Sequence, residues 1–133
     1  QTILRDLIAS QPGQEGKWFA AAKDSGLFDL AIELANRTPS DPRTLIRAAR
    51  DFAAERPEFA LAAGMTGLRA IASGYGYDIM GADVLDAYAA VMQATAVAGK
   101  DEAVSRADVR ALIAENHVSG EFVGRILARQ LAL

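Results

Sequence analysis

The chain has 133 residues, of which 51% are hydrophobic and 23% charged, and it carries a formal net charge of −3. That is the size and balance of one globular domain able to bury a core, and it argues against a disordered chain. The absence of cysteine removes disulfides, thiolate metal sites, iron–sulfur clusters and cysteine nucleophiles, and the mild negative charge gives no general attraction to nucleic acid or an anionic membrane.

No apolar run approaches the roughly 20 residues of a membrane span, and no basic-then-apolar leader opens the chain. A cytoplasmic protein without a membrane partner is the expectation. The chain begins at Gln1 and not at methionine, so it reads as part of a longer protein, with residues 1–133 forming a single all-α domain. Alanine fills 28 positions, which favours closely packed helices.

Residues 2–10 read as a short apolar helix stopped by Gln11-Pro12-Gly13. Two short helices follow over 17–24 and 27–37, joined at Ser25-Gly26, where Gly26 suits the left-handed cap position. Asp41-Pro42 and Arg56-Pro57 then each open a helix, because proline belongs in the first helical turn, where its missing N–H leaves no bond unmade. Asp41 or Ser40 is available as the N-cap acceptor of the first. The helix from Pro42 to Glu55 puts Leu45, Ala49, Phe52 and Ala53 on one face, Ile46 at its edge, and Arg43, Arg47 and Arg50 on a separate stripe.

The helix after Pro57 is apolar nearly all round, with Leu61, Met65, Leu68 and Ala72 opposite Ala63, Gly67, Ala70 and Gly74. Such a helix is expected at the centre of the fold. After a glycine-aromatic connector over 73–78, residues 81–98 predict a long amphipathic helix with Val84, Leu85, Tyr88, Val91 and Met92 inward, ended by Gly99. Asp101 caps a helix through Glu115 with Val104, Leu112 and Ile113 buried, and Ser119 can cap a last helix carrying Phe122, Val123, Ile126, Leu127 and Leu131. The count is about eight helices and no strand. Short connections predict stacked antiparallel hairpins over 17–37, 42–73 and 81–115, or an irregular helical bundle.

The stretch Gly26-Leu27-Phe28-Asp29-Leu30-Ala31, followed by a helix end and Pro39, resembles the turn and second helix of a tetratricopeptide-type repeat. The pattern departs from that repeat at Ala21 and Ala22, where leucine and glycine are preferred, and the later hairpins do not repeat it. The resemblance implies a tetratricopeptide-like α-helical hairpin domain, a scaffold that holds a partner peptide or protein in a groove.

Candidate chemistry is sparse. His117 is the sole histidine, which excludes two-histidine metal motifs, and it reads as a turn residue. No G-x-S-x-G elbow occurs, and Gly74, Gly76 and Gly81 satisfy no phosphate-binding glycine motif. They turn the chain, leaving Tyr75 and Tyr77 to cover a hairpin end or to anchor a partner. Arg43, Arg47 and Arg50 could meet phosphates or an acidic peptide, or form a solvated face with Asp51 four residues after Arg47. Asp83 and Asp86 lie in a first helical turn, where carboxylates complement the dipole. Trp18 and Phe19 point about 100° apart, so either the helix is covered on two sides or one ring is exposed at an interface.

No metal site and no cofactor is expected. The preferred reading is a non-catalytic helical scaffold or protein–protein interaction domain, with Arg43, Arg47, Arg50, Tyr75, Tyr77 and Trp18 as candidate contacts to a protein or peptide partner. The alternatives are a nucleic-acid accessory domain using the arginine stripe, and an enzyme working with carboxylates alone.

Overall fold

The computed structural model describes residues 18–37, 40–76, 78–116 and 119–133. The expected helix over 2–10 and its Gln11-Pro12-Gly13 stop lie outside these residues, as do Pro39, Tyr77 and His117. Among the described residues there are eight helices and no strand: α1 (Phe19–Asp24), α2 (Phe28–Arg37), α3 (Pro42–Phe52), α4 (Pro57–Ala72), α5 (Gly81–Val97), α6 (Glu102–Glu115), α7 (Gly120–Ile126) and α8 (Ala128–Leu131). The all-α reading is correct. No described helix is long and apolar enough to cross a membrane. The chain divides into two compact units, residues 1–40 and 41–133.

In the first unit α1 and α2 pack on each other. Their connection is made as expected at Gly26, whose φ is 77°. The Gly26 N–H donates to the Lys23 carbonyl and the Leu27 N–H to the Ala22 carbonyl, which satisfies the end of α1. Phe19, Ala22, Leu30, Ala31 and Leu34 are buried, whereas Trp18 is half-buried.

The second unit is gathered around α4, which packs against α3, α5, α6 and α7. Both proline starts hold. Asp41 accepts a hydrogen bond from the Arg43 N–H at 3.2 Å, and Pro42 and Pro57 occupy the first turns of α3 and α4. The basic helix stops at Phe52, three residues earlier than its pattern predicts, and turns over 53–55. There the Phe52 and Phe59 rings meet edge-on with centroids 5.5 Å apart.

α4 is the buried axis its pattern predicts: Phe59, Ala60, Ala63, Gly64, Thr66, Gly67, Leu68, Ile71 and Ala72 are all buried, while Glu58 and Arg69 are exposed. The two helix neighbours use different glycines. A Cβ on Gly64 would lie 2.7 Å from Cγ2 of Val91 on α5, whereas one on Gly67 would lie 3.4 Å from the Leu45 and Ile46 side chains of α3. Only the first position requires glycine for close approach.

The main core joins Ile46, Leu68, Ile71, Val84, Tyr88, Val91, Val109, Leu112, Val123, Leu127 and Leu131. Each full aliphatic burial of this kind contributes about 1.5–3 kcal/mol. α5 ends in a turn through Gly99, and Asp101 caps α6 by accepting from the Ala103 N–H at 2.9 Å. The Thr95 hydroxyl, wholly buried on α5, donates to the Val91 carbonyl at 2.7 Å and lies 2.8 Å from the Ser105 hydroxyl of α6. With its own proton spent on Val91, Thr95 is the acceptor and Ser105 the donor of that pair.

The structure departs from the expected pattern at five points. Leu85 and Val104, read as inward, are 40% and 58% exposed, and the buried α6 positions are Ser105, Val109 and Leu112. Ile113 is half-buried. The Ser119 side chain makes no cap bond; instead its N–H donates to the Ala72 carbonyl at the end of α4. The single last helix is two, α7 and α8, divided at the buried Leu127, with the Arg110 guanidinium donating to the Leu131 carbonyl.

Candidate functional site

The three arginines of the stripe stand in different surroundings. At the start of α3, the Arg43 guanidinium reaches α5 and donates to the Asp83 carboxylate at 3.1 and 3.3 Å. The Nη2 that bonds Asp83 also donates to the Asp78 carbonyl in the connector. Asp83 also accepts the Met80 N–H at 2.9 Å, so one carboxylate caps α5 and clamps α3 to it. The Arg43 hydrogen bond, helped by the Met80 N–H, holds the Asp83 carboxyl below the usual carboxylate range. The same pairing raises the Arg43 pKa further.

Arg47 and Arg50 remain exposed, and Arg50 lies 3.7 Å from Asp51. The pairing of Arg47 with Asp51 drawn from their spacing is thus replaced by one between neighbours. Asp86 is exposed and lies apart from the clamp. Asp83 serves structure, as its place in the first turn suggested.

Tyr75 is 49% exposed and edges a depression of about 250 Å³ whose apolar wall is Ile71, Ile79 and Phe122 and whose polar side includes Ser119. A second depression of about 330 Å³ lies between α4 and α6, with Met65 and Leu112 at its base and Arg69, Asp108 and Glu115 at its rim. Trp18 stands at the N-cap of α1, its indole Nε1 enclosed without a hydrogen-bond partner among the described residues. Tyr77, the remaining candidate contact, lies outside those residues.

The feature missed in the sequence is the outer face of α5. At 100° per residue, Ala82, Leu85, Asp86, Ala89, Met92, Gln93, Ala96 and Val97 occupy an arc of about 140°. Seven of these eight are exposed and Met92 is half-buried. Asp86 is the one charge among them. The opposite arc, with Val84, Ala87, Tyr88, Val91 and Ala94, is buried in the core. A surface helix ordinarily turns charged and polar residues to water, and α5 turns alanine, leucine and valine.

Apolar side chains are also exposed at both ends of α5. Met80, 62% exposed, precedes α5, and Val97 and Val104 flank the turn into α6. The available signal was Ala82, Ala89 and Ala96 at intervals of seven, with Leu85 and Met92 three residues after the first two. That is the spacing of a coiled-coil seam, alanine at a and larger residues at d.

No family model matches the chain, and neither a curated protein nor a solved structure matches it.

Proposed function

We propose that the chain is a non-catalytic helical interaction module that binds a helix of a protein partner along the outer face of α5. The single observation that carries this reading is the uncharged a and d seam of exposed Ala82, Leu85, Ala89 and Ala96, edged by the half-buried Met92, on a helix whose opposite face is already in the core. The alanines let a second helix come close, and the exposed Leu85, with the outer part of Met92, gives it something to pack against. α5 is about 25 Å long, so the occupant that fits is an amphipathic helix of four to five turns with an apolar seam of its own. The tetratricopeptide-like reading belongs to the same proposal, with the difference that the contact is a helix face and not the concave side of a repeat stack.

The direct test is paired capture with the parent chain and an Ala89→Glu variant, each carrying a photo-crosslinking residue at position 93. A partner crosslinked through a helix by the parent and lost by Ala89→Glu supports the reading. The same proteins retained by both chains would overturn it.

A further inference from the structure

We infer that the outer face of α5 pairs with the same face of a second copy of this chain, the two helices running antiparallel. This rests on the reading of that face as a helix-binding seam, and it names the occupant.

Size alternation along the seam sets the orientation. The a positions are all alanine, Ala82, Ala89 and Ala96, and the d positions are the larger Leu85 and Met92. In a parallel pair, equivalent positions face each other, so Leu85 would meet the partner's Leu85 while Ala89 met the partner's Ala89, alternately crowding and gapping the seam. In an antiparallel pair, a faces d. The register that overlaps the two copies of α5 most fully then sets Leu85 against the partner's Ala96, Ala89 against the partner's Met92, and the two reciprocal pairs. Each of these four layers pairs one large and one small side chain, and Ala82 lies beyond the overlap of the two helices. The face is complementary to itself in that one orientation, which is the requirement of a closed two-fold interface.

The polar groups agree. A two-fold of this kind keeps each side of the seam on the same side in the partner, so Asp86 comes beside the partner's Gln93, about 3 Å away along the axis. The one carboxylate on the face therefore gains an amide donor, and the partner's Asp86 is carried about 13 Å along the axis. The helix dipoles run in opposition, the N-terminus of one α5 beside the C-terminus of the other. With an overlap of about 20 Å the contact is smaller than a standard interface, so dimerisation is expected in the micromolar range or weaker.

The absence of cysteine makes the register directly readable in the full chain. Leu85→Cys and Ala96→Cys are prepared separately, with circular dichroism confirming parent-like helicity, and are oxidised alone and as an equimolar mixture. The register sets residue 85 opposite the partner's residue 96 but separates each from its own copy by about 16 Å along the axis, beyond the roughly 7 Å Cα reach of a disulfide. The expected result is a disulfide-linked heterodimer from the mixture and little from either variant alone. In parallel, sedimentation of the parent should show reversible dimer that Ala89→Glu abolishes.

Self-linking of each single variant as readily as the mixture would mean parallel pairing and would overturn the inference. So would a parent chain that stays monomeric up to millimolar concentration with no linking in the mixture. Either result leaves the capture of a foreign helix to be decided by its own experiment, in which Ala89→Glu is compared at bait concentrations below self-association.

Discussion

The Asp83 carboxylate lies 3.1 Å from an Arg43 guanidinium nitrogen across the α3–α5 contact and also accepts the Met80 N–H that opens α5. Two backbone segments 40 residues apart in sequence are therefore tied through one side chain.

This tie sets a pH dependence. The Asp83 carboxyl is held below its ordinary value, first by the Arg43 hydrogen bond and second by the Met80 N–H. A depressed folded-state pKa means that the unfolded chain binds the proton more readily, so the contribution is complete above the unfolded value, near 4, and fades as pH falls through the folded value. Asp83→Asn should cost about 1–2 kcal/mol at pH 7, after allowance for a partly exposed partner. Below pH 4 the difference from the parent should shrink. Urea titrations of both chains from pH 7 to 2.5 test this, and a constant gap would show that the charge is immaterial.

The two glycines of α4 should respond differently to the same change. Gly64→Ala places a methyl group 2.7 Å from the branched, buried Val91 side chain. An overpacking cost of about 1–3 kcal/mol is expected, and the helix propensity gained by alanine, about 1 kcal/mol, offsets only part of it. Gly67→Ala meets its neighbours at ordinary contact distance and should leave stability unchanged or improve it by up to about 1 kcal/mol. Gly67→Leu, reaching further into Leu45 and Ile46, should destabilise. Thermal melts of the three variants rank them.

The buried hydroxyl pair gives a third prediction. Thr95→Val removes the acceptor for the Ser105 hydroxyl and should cost about 1–3 kcal/mol, because a buried donor is left unpaired. Ser105→Ala should cost less, since Thr95 still donates to Val91. Thr95→Val combined with Ser105→Ala should be more stable than Thr95→Val alone. A double-mutant cycle measured by denaturant unfolding reads the sign directly.

The three arginines of α3 should separate. Arg47→Ala and Arg50→Ala, on exposed side chains, should stay within about 0.5 kcal/mol of the parent, while Arg43→Ala should loosen the α3–α5 contact and lower the melting temperature. Equal effects at all three positions would show that the clamp contributes nothing.

The helix boundaries marked by proline, aspartate or glycine, and the central axis, were legible because they depend on local chemistry. Proline at 42 and 57, aspartate at 41 and 101, and glycine at 26 and 99 act within one turn of their own position. The uniform apolar character of α4 left it only one stable place. α5 was harder, since it has two apolar arcs and burial of either satisfies the wheel. Val84 and Leu85 are adjacent in sequence and about 100° apart on the helix, and the boundary between the buried and exposed arcs runs between them. The Arg43 clamp is not legible locally, because nothing in residues 42–55 reveals a carboxylate 40 positions later.

The many alanines enclosed in the second unit, among them Ala49, Ala60, Ala63, Ala87, Ala90 and Ala94, have a thermal consequence. Each removes little apolar surface from water, and none has rotamers to lose on folding. Unfolding should therefore raise the heat capacity by less than the usual 12–15 cal/mol/K or so per residue, which flattens the dependence of stability on temperature. Warming then weakens this interior gradually, and cooling gives it little extra.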